Sequence, residues 1–192
     1  MAKLLFFSGS IRKDSFNKKL AYQAYNIARD QFGANCTYID LKDFEMPIYN
    51  GDLEAESGLP ENAKKLKKIF CEHDGFLIAA PEYNSSLAPL LKNSLDWISR
   101  PQTENEPALI AFKGKIAALT AASPGGFGGL RGLVPLRMML GNIGVLVIPN
   151  QLAIPFAAKA FDEKGNLQDE KQKASLTSVV KEFATTAGKI KK

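Results

Sequence analysis

The sequence predicts an α/β fold, a doubly wound sheet of five parallel strands with helices on both faces. Three observations carry that prediction. Apolar runs of strand length recur without alternating polar and apolar residues, as strands buried on both faces do. Stretches with helical periodicity separate them. Strand and helix alternate five times, which supplies the crossover that each parallel return needs.

The elements follow in order. The first strand is Lys3–Ser8. Its apolar run stops at Ser8-Gly9-Ser10, too short for a secretory leader, and Arg12-Lys13 follow with no small-residue cleavage site. A helix is expected over residues 17–32, with Leu20, Ala24, Ile27 and Ala28 on one face and Gly33 at C′. Residues 36–41 form a weaker second strand. The helix over 60–71 gathers Ala63, Leu66 and Phe70 on one face behind Pro60. Strands are expected at 75–80, 115–122 and 144–148, and helices at 87–98, 130–140 and 169–190. Residues 42–59, 100–114 and 150–168 read as long loops. No repeat, low-complexity segment or linker interrupts residues 1–192, which are expected to form one domain.

Composition excludes several classes of protein. An apolar content of 45% is that of a globular chain, and the best apolar run, 75–81, falls far short of the ~20 residues that span a bilayer. Cys36 and Cys71 have no CxxC spacing, which suits a reducing compartment; a cytoplasmic protein with both thiols as buried fillers is expected. The net charge of +5 is concentrated at the end, where residues 163–192 hold 7 Lys against 4 acids. The body has 18 basic and 16 acidic residues, so a nucleic-acid partner is not expected and the tail reads as a solvated helix end. His73, in Glu72-His73-Asp74, reads as part of a solvated turn. With one histidine and no clustered acids, no metal site is expected.

In doubly wound sheets, ligands sit at the carboxyl ends of the strands, where the strand order reverses. The loop after the first strand reads Ser-Gly-Ser-Ile-Arg-Lys-Asp-Ser-Phe-Asn and leads into a helix. Ser10, Arg12, Ser15 and Asn17 are donors at a helix N-terminus, which is the chemistry of a phosphate site. N-capping by Ser15 or Asn17 would use one of them; five donors in ten positions favour anion binding. Neither G-x-G-x-x-G nor a Walker A loop is present. Pro81-Glu82-Tyr83-Asn84 follows the third strand and suits a flat aromatic ligand, or a turn followed by a helix N-cap at Ser86. Ser123-Pro124-Gly125-Gly126-Phe127-Gly128-Gly129 follows the fourth, where glycines allow a backbone to approach a ligand or to move. Together the three loops suit an aromatic ligand that bears a phosphate.

GSIRKDSFN (9–17), PEYNSSLAPLLKNSLDW (81–97) and SPGGFGGLRGLVPLRMML (123–140) resemble the NADPH-dependent FMN reductase family. The likeness runs over nearly the whole chain and includes MPIYNGD (46–52); PEYN followed by LKNxxDW is its specific signature. The resemblance implies a flavodoxin-like fold with strand order 2-1-3-4-5. It implies FMN as cofactor, NADPH or NADH as co-substrate, and small electron acceptors in a ping-pong exchange. Ser10, Arg12, Ser15 and Asn17 would hold the FMN phosphate, with Phe16 also in the cofactor site. Pro81, Glu82, Tyr83 and Asn84 would line the isoalloxazine, and Ser123, Gly125 and Gly126 would close its other side. Hydride chemistry would belong to the flavin, with no catalytic side chain. Arg131 would meet a phosphate of the nucleotide or form a structural ion pair. Trp97 would lie in the core or a dimer interface. The LKNSLDW helix and MPIYNGD loop look like the surface of a homodimer. A tetramer is the further possibility, although Val134 stands where certain quinone- and chromate-reducing relatives carry the tyrosine of that contact. A flavodoxin-type electron carrier or a non-catalytic FMN-binding module is the alternative; carriers tend to be acidic, and the isoelectric point here is near 9.1.

Overall fold

A computed structural model of the chain describes residues 1–190. Its first half runs β1 (Lys3–Ser8), α1 (Phe16–Phe32), β2 (Asn35–Asp40), a 3-10 turn (Leu41–Asp43), α2 (Gly51–Ser57), α3 (Glu61–Glu72) and β3 (Gly75–Ala79). The rest runs β4 (Glu82–Tyr83), β5 (Ser86–Leu87), α4 (Pro89–Ser99), β6 (Ile116–Ala122), α5 (Leu130–Asn142), β7 (Leu146–Ile154), α6 (Ala157–Ala160) and α7 (Glu170–Ile190). The five long strands pair in parallel in the order β2-β1-β3-β6-β7. With the small β4–β5 hairpin set aside, this is the expected 2-1-3-4-5 order.

Successive residues of β1 serve two different cores. Leu4 and Phe6 pack with α1 and α7, among Leu20, Ala24 and Phe183; Leu5 and Phe7 pack with α3, α4 and α5, among Leu66, Leu91 and Leu133. A strand covered on both faces has no solvent side, so its apolar run shows no alternation. Aromatic rings fill both layers: Phe6 meets Tyr25 and Phe183 edge-on, and Phe7 meets Phe70. At the ends of α1, the Ser15 side chain accepts from Lys18 N–H, and Gly33 adopts φ 59° as the C-cap.

The structure corrects several expectations. The last strand extends to Ile154, so part of the expected 150–168 loop is sheet, and α6 occupies more of it. The 42–59 stretch contains α2. Strand β7 is irregular: Ala117 faces Val147 while Leu119 faces Gln151, so two extra residues bulge out around Pro149. Proline and polar residues at an edge-strand bulge read locally as a loop. The bulge is held by Arg137 of α5, which donates to Ile148 O at 2.8 Å, to Val147 O at 3.3 Å and to Gln151 Oε1 at 2.8 Å. Ser86 lies in the hairpin rather than capping a helix, since α4 begins at Pro89 after Ala88.

His73 is 7% exposed, not solvated. Its Nδ1–H meets Ile69 O at 2.7 Å and its Nε2 lies 2.8 Å from the Thr37 hydroxyl, so the ring ties α3 to β2. Cys36 is half-buried, and burial pushes its thiol up to about 11; Cys71 is exposed rather than a core filler. Trp97 lies in the core. No helix among the described residues is long and apolar enough to cross a membrane. Lys191 and Lys192, the end of the basic tail, lie outside the described residues.

Candidate functional site

The sheet order reverses beside β1, so the loops after β1 and β3 diverge and leave a crevice at the carboxyl edge. Three loops meet around a hollow of about 70 Å³. The first contributes Ser10, Arg12, Ser15, Phe16 and Asn17; the second Pro81, Glu82 and Tyr83; the third Ser123, with Ala122 and Pro124 beside it. Nine of the twelve residues expected to bind cofactor therefore line one hollow. Asn84, Gly125 and Gly126 belong to the same loops without lining it.

The first loop gathers donors at the start of α1, a chemistry that suits an anion. Ser10 and Ser15 are buried and Arg12 is exposed. Ser15 takes the N–H of Lys18 on its hydroxyl and that of Lys19 on its carbonyl. The N–H groups of Phe16 and Asn17, in the first turn of α1, have no acceptor within the helix. Asn17 carries a further tie: its Nδ2 donates to Ala122 O and its Oδ1 accepts from Ala122 N–H, both at 2.9 Å. Strand β2 does end in an acid, Asp40, the position that reads ribose in dinucleotide folds. Its carboxylate pairs with Lys18 at 2.6 Å and caps Lys42 N–H, so it is already engaged.

The second loop is a tight hairpin whose turn residues Asn84 and Ser85 have φ 51° and 65°, the left-handed pair of a two-residue hairpin. Glu82 fastens it to α5: its carboxylate accepts from Gly132 N–H and from Arg131 Nε, each at 3.2 Å. The Glu82 side chain is 10% exposed and is engaged by α5 through both carboxylate oxygens. Arg131 forms that ion pair from a largely exposed position, with its guanidinium 4.9 Å from the Phe127 ring centroid.

The third loop uses its glycines in two ways. A Cβ on Gly128 would lie 2.6 Å from the Ile154 carbonyl carbon, and one on Gly129 would lie 2.7 Å from Ala121 Cβ; both have positive φ. These two let the loop close onto the sheet. Around Gly125 and Gly126 the nearest atoms to such a Cβ are 3.9 Å and 3.5 Å away, which leaves backbone open to a ligand.

The LKNxxDW signature proves to be an intrachain clasp. Asn93 accepts from Tyr49 N–H at 2.7 Å and donates to Pro47 O at 2.9 Å, and Trp97 Nε1–H donates to the same carbonyl at 2.8 Å. These side chains hold the 46–52 loop. Local sequence did not mark Ala122 or the anchoring of Glu82, because each pairs with a residue tens of positions away.

The NADPH-dependent FMN reductase family model matches residues 2–159. The chain belongs to that family. It is 35% identical to an NAD(P)H:quinone oxidoreductase of Solanum tuberosum, over 98% of this chain and 94% of the relative. It is also 35% identical to an NAD(P)H-dependent FMN reductase of Pseudomonas aeruginosa, over 88% of this chain and 86% of the relative. A solved flavoenzyme NAD(P)H:(acceptor) oxidoreductase, FerB from Paracoccus denitrificans, superposes with a TM-score of 0.82 at 30% identity, covering 98% of both chains. The chain is thus an oxidoreductase whose cofactor is FMN and whose electron donor is NAD(P)H. The residues present suit that cofactor: buried hydroxyls and a guanidinium at a helix N-terminus match a phosphate.

Proposed function

We propose that this reductase transfers electrons from NAD(P)H to quinones, flavins, azo compounds or metal oxyanions in a ping-pong order, using FMN held by the three loops. The convergence of those loops on one hollow is the observation that carries this reading. When bound, FMN supplies the acceptor and donor of hydride between the two substrates.

The rest of the work falls to the chain. Ser10, Arg12, Ser15 and the first-turn N–H groups of Phe16 and Asn17 bind the phosphate dianion, aided by the positive end of α1. Pro81, Glu82, Tyr83 and Asn84 line one side of the ring through main-chain groups, kept in place by the ion pair to α5. Ser123, Gly125 and Gly126 form the other side; the Ser123 and Gly125 N–H groups are engaged by Ile154 O and Ser123 Oγ, so the Gly126 N–H is the donor that would favour negative charge on a bound flavin. The donor nucleotide and the acceptor occupy the same open face in turn. A homodimer forms over α4 and the 46–52 loop, where Ile48 is 85% exposed; sedimentation of a monomer alone would remove that part.

The deciding experiment mixes purified protein with FMN, NADPH and menadione and follows absorbance at 340 nm. Turnover above a boiled control is expected. Flavin binding without NADPH oxidation would leave an electron carrier or a binding module instead.

A further inference from the structure

Strand β3 pairs with β6 only as far as Ala79 opposite Thr120, with Ala80 N–H donating to Thr120 O at 2.8 Å as the last rung. Strand β6 runs on to Ala122. The N–H and C=O of alternate strand residues face the same neighbour, so Ala122 turns both groups to the side that β3 has left. There the Asn17 amide meets them, donating to Ala122 O and accepting from Ala122 N–H at 2.9 Å each. Asn17 and Ala122 are both 4% exposed. The side chain thus replaces the missing stretch of strand. Ser123, the next residue, bonds Ile154 O on the other side. One amide from the first ligand loop therefore fixes the residue from which the third loop departs, 105 positions away.

We propose that Asn17 is a positioning residue for the flavin site: through Ala122 it sets the spacing between the Ser10–Ser15 loop and the Ser123–Gly126 loop, and its side chain does not bind the phosphate. This rests on the FMN reading above and reassigns one residue within it. The amide oxygen and one amide N–H are already engaged in a buried, two-bond pairing. Arg12, exposed at the mouth of the hollow, has no such commitment. Loss of the Asn17 tie shifts one wall of the site against the other, which weakens any ligand that touches both, with or without a phosphate.

The test compares FMN with riboflavin, which lacks the phosphate, by fluorescence quenching at a temperature where circular dichroism shows each protein folded. Asn17→Ala should weaken both flavins by the same factor, about tenfold for the loss of a buried hydrogen-bonded pair. Arg12→Ala should weaken FMN far more than riboflavin. A loss confined to FMN in Asn17→Ala would make Asn17 a phosphate ligand and overturn the proposal, as would unchanged affinity for both. Asn17→Asp serves as a second variant should Asn17→Ala not fold. A protonated carboxyl reproduces the amide's donor and acceptor, whereas an ionised one confronts Ala122 O. Riboflavin affinity of Asn17→Asp, relative to wild type at each pH, should therefore rise as pH falls from 7.5 to 5. The other ionisable groups lining the hollow are Arg12, Glu82 and Tyr83, with Glu82 paired to Arg131, and the wild-type ratio cancels them. A flat ratio overturns the proposal. Wild-type protein that binds neither flavin overturns the FMN reading itself, before any variant is made.

Discussion

Arg12 and Gly128 show how single residues divide the work of the site. Arg12 is exposed and its own N–H rests on Ser10 Oγ at 3.3 Å, so the loop is shaped while the guanidinium stays available to an anion. Arg12→Ala should weaken FMN binding by about 1–3 kcal/mol, the size of a charge-assisted contact, as read by flavin titration. Unchanged affinity would place the phosphate elsewhere. Gly128 serves the scaffold. At φ 61°, with a backbone carbon 2.6 Å from any Cβ, Gly128→Ala requires the loop to lift from β7. The variant should lose roughly 1–3 kcal/mol of stability, with a lower midpoint in urea. Gly126→Ala, with 3.5 Å of clearance to a movable Phe156 ring, should be tolerated in the free protein.

At the scale of elements, two devices hold irregular backbone in place. Arg137 donates to four acceptors at the β7 bulge (Val147 O, Ile148 O, Pro149 O and Gln151 Oε1) from a half-buried position, and burial draws its guanidinium below its ordinary value. Arg137→Ala would orphan those acceptors and should cost about 2–4 kcal/mol in a urea titration, because several polar groups lose their donor together. The second device is the clasp on the 46–52 loop. Glu54 accepts from Tyr49 OH at 2.7 Å and from Arg100 Nε at 2.9 Å, and Tyr49 packs edge-on against Trp97 with centroids 5.0 Å apart. Burial opposes ionisation of Glu54, but hydrogen bonds from Arg100 and Tyr49 outweigh it and hold the carboxyl below the usual range. A carboxyl depressed on folding contributes stability above its unfolded value of about 4.3, and that contribution fades as pH falls through the folded value. Trp97 is the one tryptophan, so its emission reports the loop directly. The emission should hold steady above about pH 5 and change below about pH 4. A flat acid titration would show that Glu54 does not hold the loop.

At the scale of the whole molecule, the proposed flavin site is the seam where three separate segments of chain are brought together, so a ligand there would tie them to one another. Binding to the folded state alone raises stability by about 2.7 kcal/mol at a hundredfold excess over Kd. For a chain of this length that corresponds to roughly 5–10 °C in melting temperature. FMN should produce that shift in a thermal melt, and riboflavin at equal concentration a smaller one. Equal shifts would show that the phosphate cradle contributes nothing.

Much was legible locally. The strand and helix alternation, both faces of β1, the αL glycine ending α1 and the donor-rich start of α1 all depend on residues within one or two turns of each other, where hydrophobic period and capping chemistry act. So do the motifs that place the chain in its family. What the sequence could not show is which long-range partners those residues take. Proline and polar side chains made the β7 bulge look like loop until Arg137 was seen to satisfy it. Asn17 has the chemistry of a phosphate ligand, and Glu82 and Arg131 that of free charges at a site. Ala122, Gly132 and one another are their partners, and those lie 105 and 49–50 residues away in the chain. A hydrogen bond depends on ångström distances that only the closed sheet sets. The sequence alone determined the sheet, the family and the donor-rich loops at the sheet's carboxyl edge; the tertiary structure decided which polar groups there are already engaged with one another.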